Sequence, residues 1–189
     1  VSTLAPWLLS LALTWPSPPS HVEPAEERRE RLAVAAGALA WAVDRAVMTG
    51  ALPGRERRLW AALALATVRR ESGNLDRGVH SGRRLGDRGR SICFGQINRG
   101  NVPAYGGADS SWRSLAGVGD DASRRCAWAV VSTLARARDY CLRKAAASEL
   151  HGAVLSVYLR GHGCRVNREG RVRLALARQS LATLASMGD

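Results

Sequence analysis

Aromatic residues make up only 5% of this 189-residue chain, with a single Phe and three Tyr, and β-branched residues are sparse. Sheets draw on those residue types to cover a pleated surface, so an all-β architecture is excluded. Ala and Leu dominate the 46% of residues that are hydrophobic, a balance that favours helices. No apolar run reaches the roughly 20 residues that a membrane-spanning helix needs. There is no internal repeat, and no low-complexity tract beyond the Ser/Pro patch at 16–20, so the chain reads as one domain with a substantial core. Acidic residues are outnumbered: 28 Lys and Arg face 16 Asp and Glu, a formal net charge of +12. Such a surface attracts polyanions, whether nucleic acid, an anionic membrane or an acidic cell wall, and charge alone does not choose among them. The basic residues are mostly arginines scattered along the chain rather than gathered in one block.

No C-x-x-C pair occurs among the four cysteines, Cys93, Cys126, Cys141 and Cys164, which argues against a zinc ribbon or a thioredoxin-type site. An even number in an exported protein suggests disulfides, with three connectivities possible. Cys126 and Cys141 fall on one expected helix, roughly 22 Å apart at about 1.5 Å per residue. A bridge needs Cα atoms within about 7 Å, so each must pair with Cys93 or Cys164 if they bridge at all.

Thr3 to Trp15 is a short apolar run followed by Pro16-Ser-Pro-Pro-Ser20. It resembles the hydrophobic part of an export signal, so residues 1–22 are expected to be a signal-like or tethering segment and 23–189 the folded domain. Helical periodicity starts at Glu23 and runs through Leu32, Ala36, Leu39, Val43 and Val47 to a stop at Gly50, Pro53 and Gly54. A second helix is expected from about Arg55 to Glu71, with Trp60, Ala64, Thr67, Val68 and Glu71 on one inward stripe. Residues 73–101 read as loop with a short hairpin, and 102–122 as an irregular connector. Three further helices are expected over about 122–147, 150–159 and 170–187.

Glu71 ends an apolar helical stripe and precedes a polar, glycine-rich loop. Partial burial raises a carboxyl pKa, and a protonated carboxyl beside a cleft is what glycosidic-bond cleavage needs to supply a proton to the departing oxygen. Three motifs follow in order: Ala66-Thr-Val-Arg-Arg-Glu71-Ser72, Ser91-Ile-Cys-Phe-Gly95-Gln96-Ile97, and Val157-Tyr158-Leu-Arg-Gly161. Together they resemble the soluble lytic transglycosylase and goose-type lysozyme superfamily over about residues 55–165. The third motif departs from the family pattern, with Leu159-Arg160 in place of Asn and a small residue.

The resemblance implies a mainly α, lysozyme-like helical domain whose small loop or hairpin lobe borders a cleft. It implies a peptidoglycan lytic transglycosylase that cuts the β-1,4 bond between N-acetylmuramic acid and N-acetylglucosamine and leaves 1,6-anhydro ends. In that reading Glu71 is the acid and then the base, and Tyr158 orients it. Ser91, Gly95, Gln96, Ile97 and Asn98 form the substrate-binding segment. Asp87 is the candidate second carboxylate that a hydrolytic muramidase would use to position water, although an Asp before a basic-Gly pair also makes turns. A non-catalytic basic protein binding glycan or nucleic acid is the reading from another class. The expected partner is the peptidoglycan glycan strand, with no nucleic acid, no cofactor and no metal: His80, His151 and His162 have no metal-ligand spacing. Export to the periplasm or exterior is expected. Trp60 and Trp128 read as core, and Trp112, in the polar connector, as the tryptophan for the cleft.

Overall fold

The computed structural model describes residues 3–16, 23–100 and 112–186. It is mainly helical, with seven helices and a two-stranded antiparallel hairpin among the described residues: α1 Leu4–Leu13, α2 Ala25–Met48, α3 Arg57–Ser72, α4 Arg77–His80, β1 Ser91–Ile92, β2 Ile97–Asn98, α5 Asp120–Cys141, α6 Leu150–Arg160 and α7 Arg168–Ser186. No described helix is long and apolar enough to cross a membrane.

Helix α3 forms the centre. Every residue from Trp60 to Val68 is buried, so the helix is enclosed on all sides rather than amphipathic. Ala at positions 61, 62, 64 and 66 keeps that rod narrow enough for α1, α2, α5 and α7 to approach it. Polarity returns in its last turn, where Arg69, Arg70 and Glu71 reach the surface of the core. The helix then stops hard, because Gly73, Asn74 and Leu75 are all left-handed, with φ of 60°, 63° and 59°. Buried Ser72 holds the reversal: its hydroxyl donates to Val68 O at 2.6 Å and accepts from Leu75 N at 2.9 Å.

The apolar run at the start of the chain forms α1, with Leu4, Trp7, Leu8, Leu11, Ala12 and Trp15 buried in the same core as the other helices. Arg69 lies over the Trp15 ring at 5.1 Å, which ties this segment to the end of α3. A leader and a short packed helix share the same apolar composition, and within the structure the run is a packed helix.

Helix α5 stops at Cys141, some residues short of the expected end at about 147. Both Lys144 N and Ala145 N turn back to Cys141 O, and Cys141 is bonded to Cys164. The second disulfide joins Cys93 to Cys126. Each cysteine of α5 therefore pairs with one outside it, as helix geometry required. At the α6/α7 crossing Gly170 lies so close that a Cβ would sit 2.2 Å from Ser156 Oγ and 2.7 Å from Gly152 O. That approach brings the next turn of α7 against the end of α3.

Candidate active site

Glu71 opens onto a cleft of about 710 Å³. One wall is the hairpin lobe, with Asp87, Gln96, Ile97 and Asn98. The other is made by α5, through Thr133, Arg136 and Tyr140, and by the end of α6, through Tyr158 and Arg160. The three sequence motifs, separated by up to about 90 residues along the chain, thus meet around one hollow.

The hairpin is held in place by features that the motif residues supply. Gly95 packs where any side chain would collide: a Cβ would lie 2.3 Å from Val130 Cγ2 on α5. Its N–H points at Cys126 Sγ at 3.4 Å, beside the Cys93–Cys126 bridge. The Tyr158 hydroxyl donates to Gly95 O at 2.8 Å. Tyr158 therefore fastens the second motif to the third, and it lines the cleft together with Glu71. Gln96, with φ of 48°, donates from its amide to Cys93 O at 3.1 Å. Gly86 is pressed against the same side chain, since a Cβ there would fall 1.7 Å from Gln96 Oε1.

Not all expected sugar-contacting residues face the cleft. Glu71, Asp87, Gln96, Ile97, Asn98 and Tyr158 line it, whereas Ser91 and Gly95 lie behind its wall. Ser91 is fully buried and donates its hydroxyl to Asp87 Oδ2. That bond braces Asp87 at the edge of the cleft. Asp87 itself sits in a left-handed turn (φ 48°) and also lines the cleft, so turn formation and cleft exposure coexist in one residue. Asn98 accepts Gly100 N–H at 3.0 Å and lines the cleft at the end of the hairpin. Trp112 does not line the cleft; its indole N–H donates to Ile97 O at 3.0 Å and braces β2 from outside. Trp60 is fully buried, as expected, and Trp128 packs edge-on against Trp41.

One residue that no motif singles out touches the acid. Arg173 on α7 is 3% exposed, and its Nη2 donates to Glu71 Oε1 at 2.8 Å. Its Nε reaches Glu169 Oε1 at 3.4 Å, and Glu169 in turn accepts from Arg70 Nε at 2.8 Å. The four side chains alternate in sign: Arg70, Glu169, Arg173, Glu71. The signal available in the sequence was an arginine on the apolar stripe of α7, one turn after Gly170 and one before the buried Ala177.

Burial pushes the Glu71 carboxyl above the usual carboxylate range; the Arg173 guanidinium opposes this, and the charges of Asp87 and Glu169 add to the rise. The upward direction prevails because the loss of water around Glu71 outweighs the charge and the hydrogen bond that Arg173 supplies. Glu169 goes the other way and is held low mainly by its hydrogen bond to Arg70. The two carboxyls of the network are thus shifted in opposite directions, Glu71 up and Glu169 down.

The histidines do not gather. His80 is fully buried between Phe94 and Ser123, its Nε2 lies 3.0 Å from Ser123 Oγ, and burial pushes its pKa down to about 3. His151 stacks edge-on against Trp60, and His162 follows α6. Among the described residues, no group of three His, Cys, Asp or Glu converges to hold a metal ion. Comparison with protein-family models, with curated proteins and with solved structures gives no match.

Proposed function

We propose that this protein is an exported peptidoglycan-cleaving enzyme of lysozyme-like architecture, a lytic transglycosylase with Glu71 as its single catalytic carboxyl. The observation that carries the reading is the Glu71 carboxyl itself. It ends a buried helix, its pKa is raised by burial, and it opens onto a polar cleft shared with Gln96, Asn98 and Tyr158.

In this mechanism protonated Glu71 gives its proton to the glycosidic oxygen as the C1–O bond breaks. The carboxylate left behind stays paired with Arg173, which favours its formation at that moment. Glu71 then takes the proton from the C6 hydroxyl of the same muramic residue while O6 bonds to C1. The acid ends as it began, no water is consumed, and the product carries a 1,6-anhydro ring. Gln96 and Asn98 offer amides to the sugar acetamido and hydroxyl groups. The two disulfides and the absence of a membrane-crossing helix among the described residues are compatible with export.

A second reading rests on Asp87. It lines the same cleft, and its charge raises the Glu71 pKa, so the two carboxyl groups sense each other. A hydrolytic muramidase would use Asp87 to position water. Digestion of purified peptidoglycan by wild type and Glu71→Gln, followed by mass spectrometry of the soluble fragments, separates the cases. Anhydro products, lighter than hydrolysed ones by one water or about 18 Da and lost in Glu71→Gln, are the expected outcome. Reducing-end products would transfer the assignment to the muramidase reading. No release by either protein would end the enzyme claim and leave a glycan- or nucleic-acid-binding role.

A further inference from the structure

Arg160 stands where the resemblance leads one to expect a small residue, and its place in the fold gives that departure a use. It lines the cleft, and it also lines a separate hollow of about 340 Å³ on its far side. The other walls of the hollow are Lys144, His162, Cys164 and Arg165. Among the described residues, none of those lining it is acidic. Like charges gathered without a carboxylate repel one another, and a bound anion relieves that repulsion.

The hollow is built rather than a chance meeting of long side chains. Its back is the Cys141–Cys164 bridge, which joins the end of α5 to the loop after α6. That loop turns sharply through Gly161 and Gly163, with φ of 74° and 77°, values that favour glycine. Lys144 is held by Tyr140, its Nζ lying 3.5 Å from the ring centroid. Tyr140 in turn lines the cleft. Two residues, Tyr140 and Arg160, thus connect the hollow to the wall of the cleft opposite Glu71 and Asp87.

We infer that the hollow is an anion subsite, which takes an oxyanion carried as a substituent on the glycan strand in the cleft. This rests on the glycan reading of the cleft given above. The oxyanion is a carboxylate of a stem peptide or a phosphate of a wall polymer; both match a Lys and two Arg. The volume suits one such group on a short branch, not a second polymer.

The test measures binding without turnover. Glu71→Gln protein is mixed with three insoluble wall preparations: intact sacculi, sacculi stripped of stem peptides by an amidase, and sacculi stripped of phosphate polymers by acid. The bound fraction is then titrated. Arg165→Glu is added to the Glu71→Gln background, with Arg29→Glu as a control of equal charge change on an exposed residue of α2. Arg165→Glu is expected to weaken binding to intact sacculi about tenfold, the scale of one lost charge-assisted hydrogen bond, relative to Arg29→Glu. That difference should vanish on one of the stripped preparations, which identifies the carboxylate or the phosphate as the source. Equal weakening by both reversals would reduce the effect to net charge and overturn the subsite. So would a difference that persists on both stripped preparations. Because no cleavage is read, failure of the enzymatic reading shows up separately, in the product analysis.

Discussion

At Glu71 two forces of opposite sign meet, and the stability of the protein reports which one wins. Burial favours the neutral carboxyl, and Arg173 favours the charged one, with burial ahead. A carboxyl whose folded pKa lies above its unfolded value contributes stability that is fully present below the unfolded pKa and is lost as pH rises through the folded one. Glu71→Gln is isosteric, stays neutral, and still accepts from Arg173. It is therefore expected to melt at a higher temperature than wild type at pH 7, with the gap closing as pH falls to about 4, near the ordinary carboxyl pKa. Paired melting curves across that range check this; a mutant less stable at pH 7 would mean that the ion pair outweighs burial. Arg173→Met makes the complementary case. It keeps the bulk but leaves Glu71 and Glu169 without their shared cation, and breaking one side of a buried pair costs about 3–5 kcal/mol. It should also move the alkaline limb of the proposed activity to higher pH, because the group that lowers the Glu71 pKa is gone. A purely structural arginine would lower stability and leave that limb in place.

The elements were readable wherever periodicity is strong. Five helices matched their expected spans within a few residues, apart from the early end of α5, which the turn after Cys141 imposes. Glu71 at its helix end, the hairpin and Tyr158 were legible as three motifs that the fold brings to one cleft. What periodicity does not carry is the approach of one element to another. Arg173 is local to α7 and meets Glu71 only because Gly170 lets α7 close on α6. Ser91 looks like a cleft hydroxyl on a polar loop, and its burial depends on the turn that brings Asp87 over it. The same kind of approach governs the hairpin. Gly95→Ala would place a methyl 2.3 Å from Val130 Cγ2, and Val is stiff at χ1 within a helix. The hairpin must lift from α5, at a cost of about 1–3 kcal/mol, and must carry Gln96 and Asn98 away from Glu71. Val130→Ala added to Gly95→Ala should recover part of both stability and turnover, a coupling expected between contacting residues. If Gly95→Ala alone melts like wild type, the hairpin is not held by this contact.

At the scale of the whole molecule, α5 is the member to which the hairpin lobe and the loop after α6 are tied. Cys126 anchors the hairpin lobe, and Cys141 anchors the loop that bears Gly161, His162 and Gly163. The two bridges close segments with sequence separations of 33 and 23 residues. Restricting the unfolded chain by loops of that length stabilises by about 3–4 kcal/mol each in the chain-entropy account. A domain of this size holds about 5–15 kcal/mol in all, so either bridge is a large share and loss of both approaches unfolding. The bridges should differ in what they do for the site. Cys93→Ser with Cys126→Ser frees the wall that carries Gln96 and Asn98; Cys141→Ser with Cys164→Ser frees the basic hollow beyond Arg160. Both pairs are expected to lower the melting temperature by similar amounts. Measured well below both transitions, the first pair should lose the larger share of glycan cleavage, and the second should lose more of its preference for anionic sacculi. Equal losses of cleavage would mean that the disulfides act through overall stability alone. A larger loss from the second pair would move the working wall of the cleft from the hairpin to the end of α6.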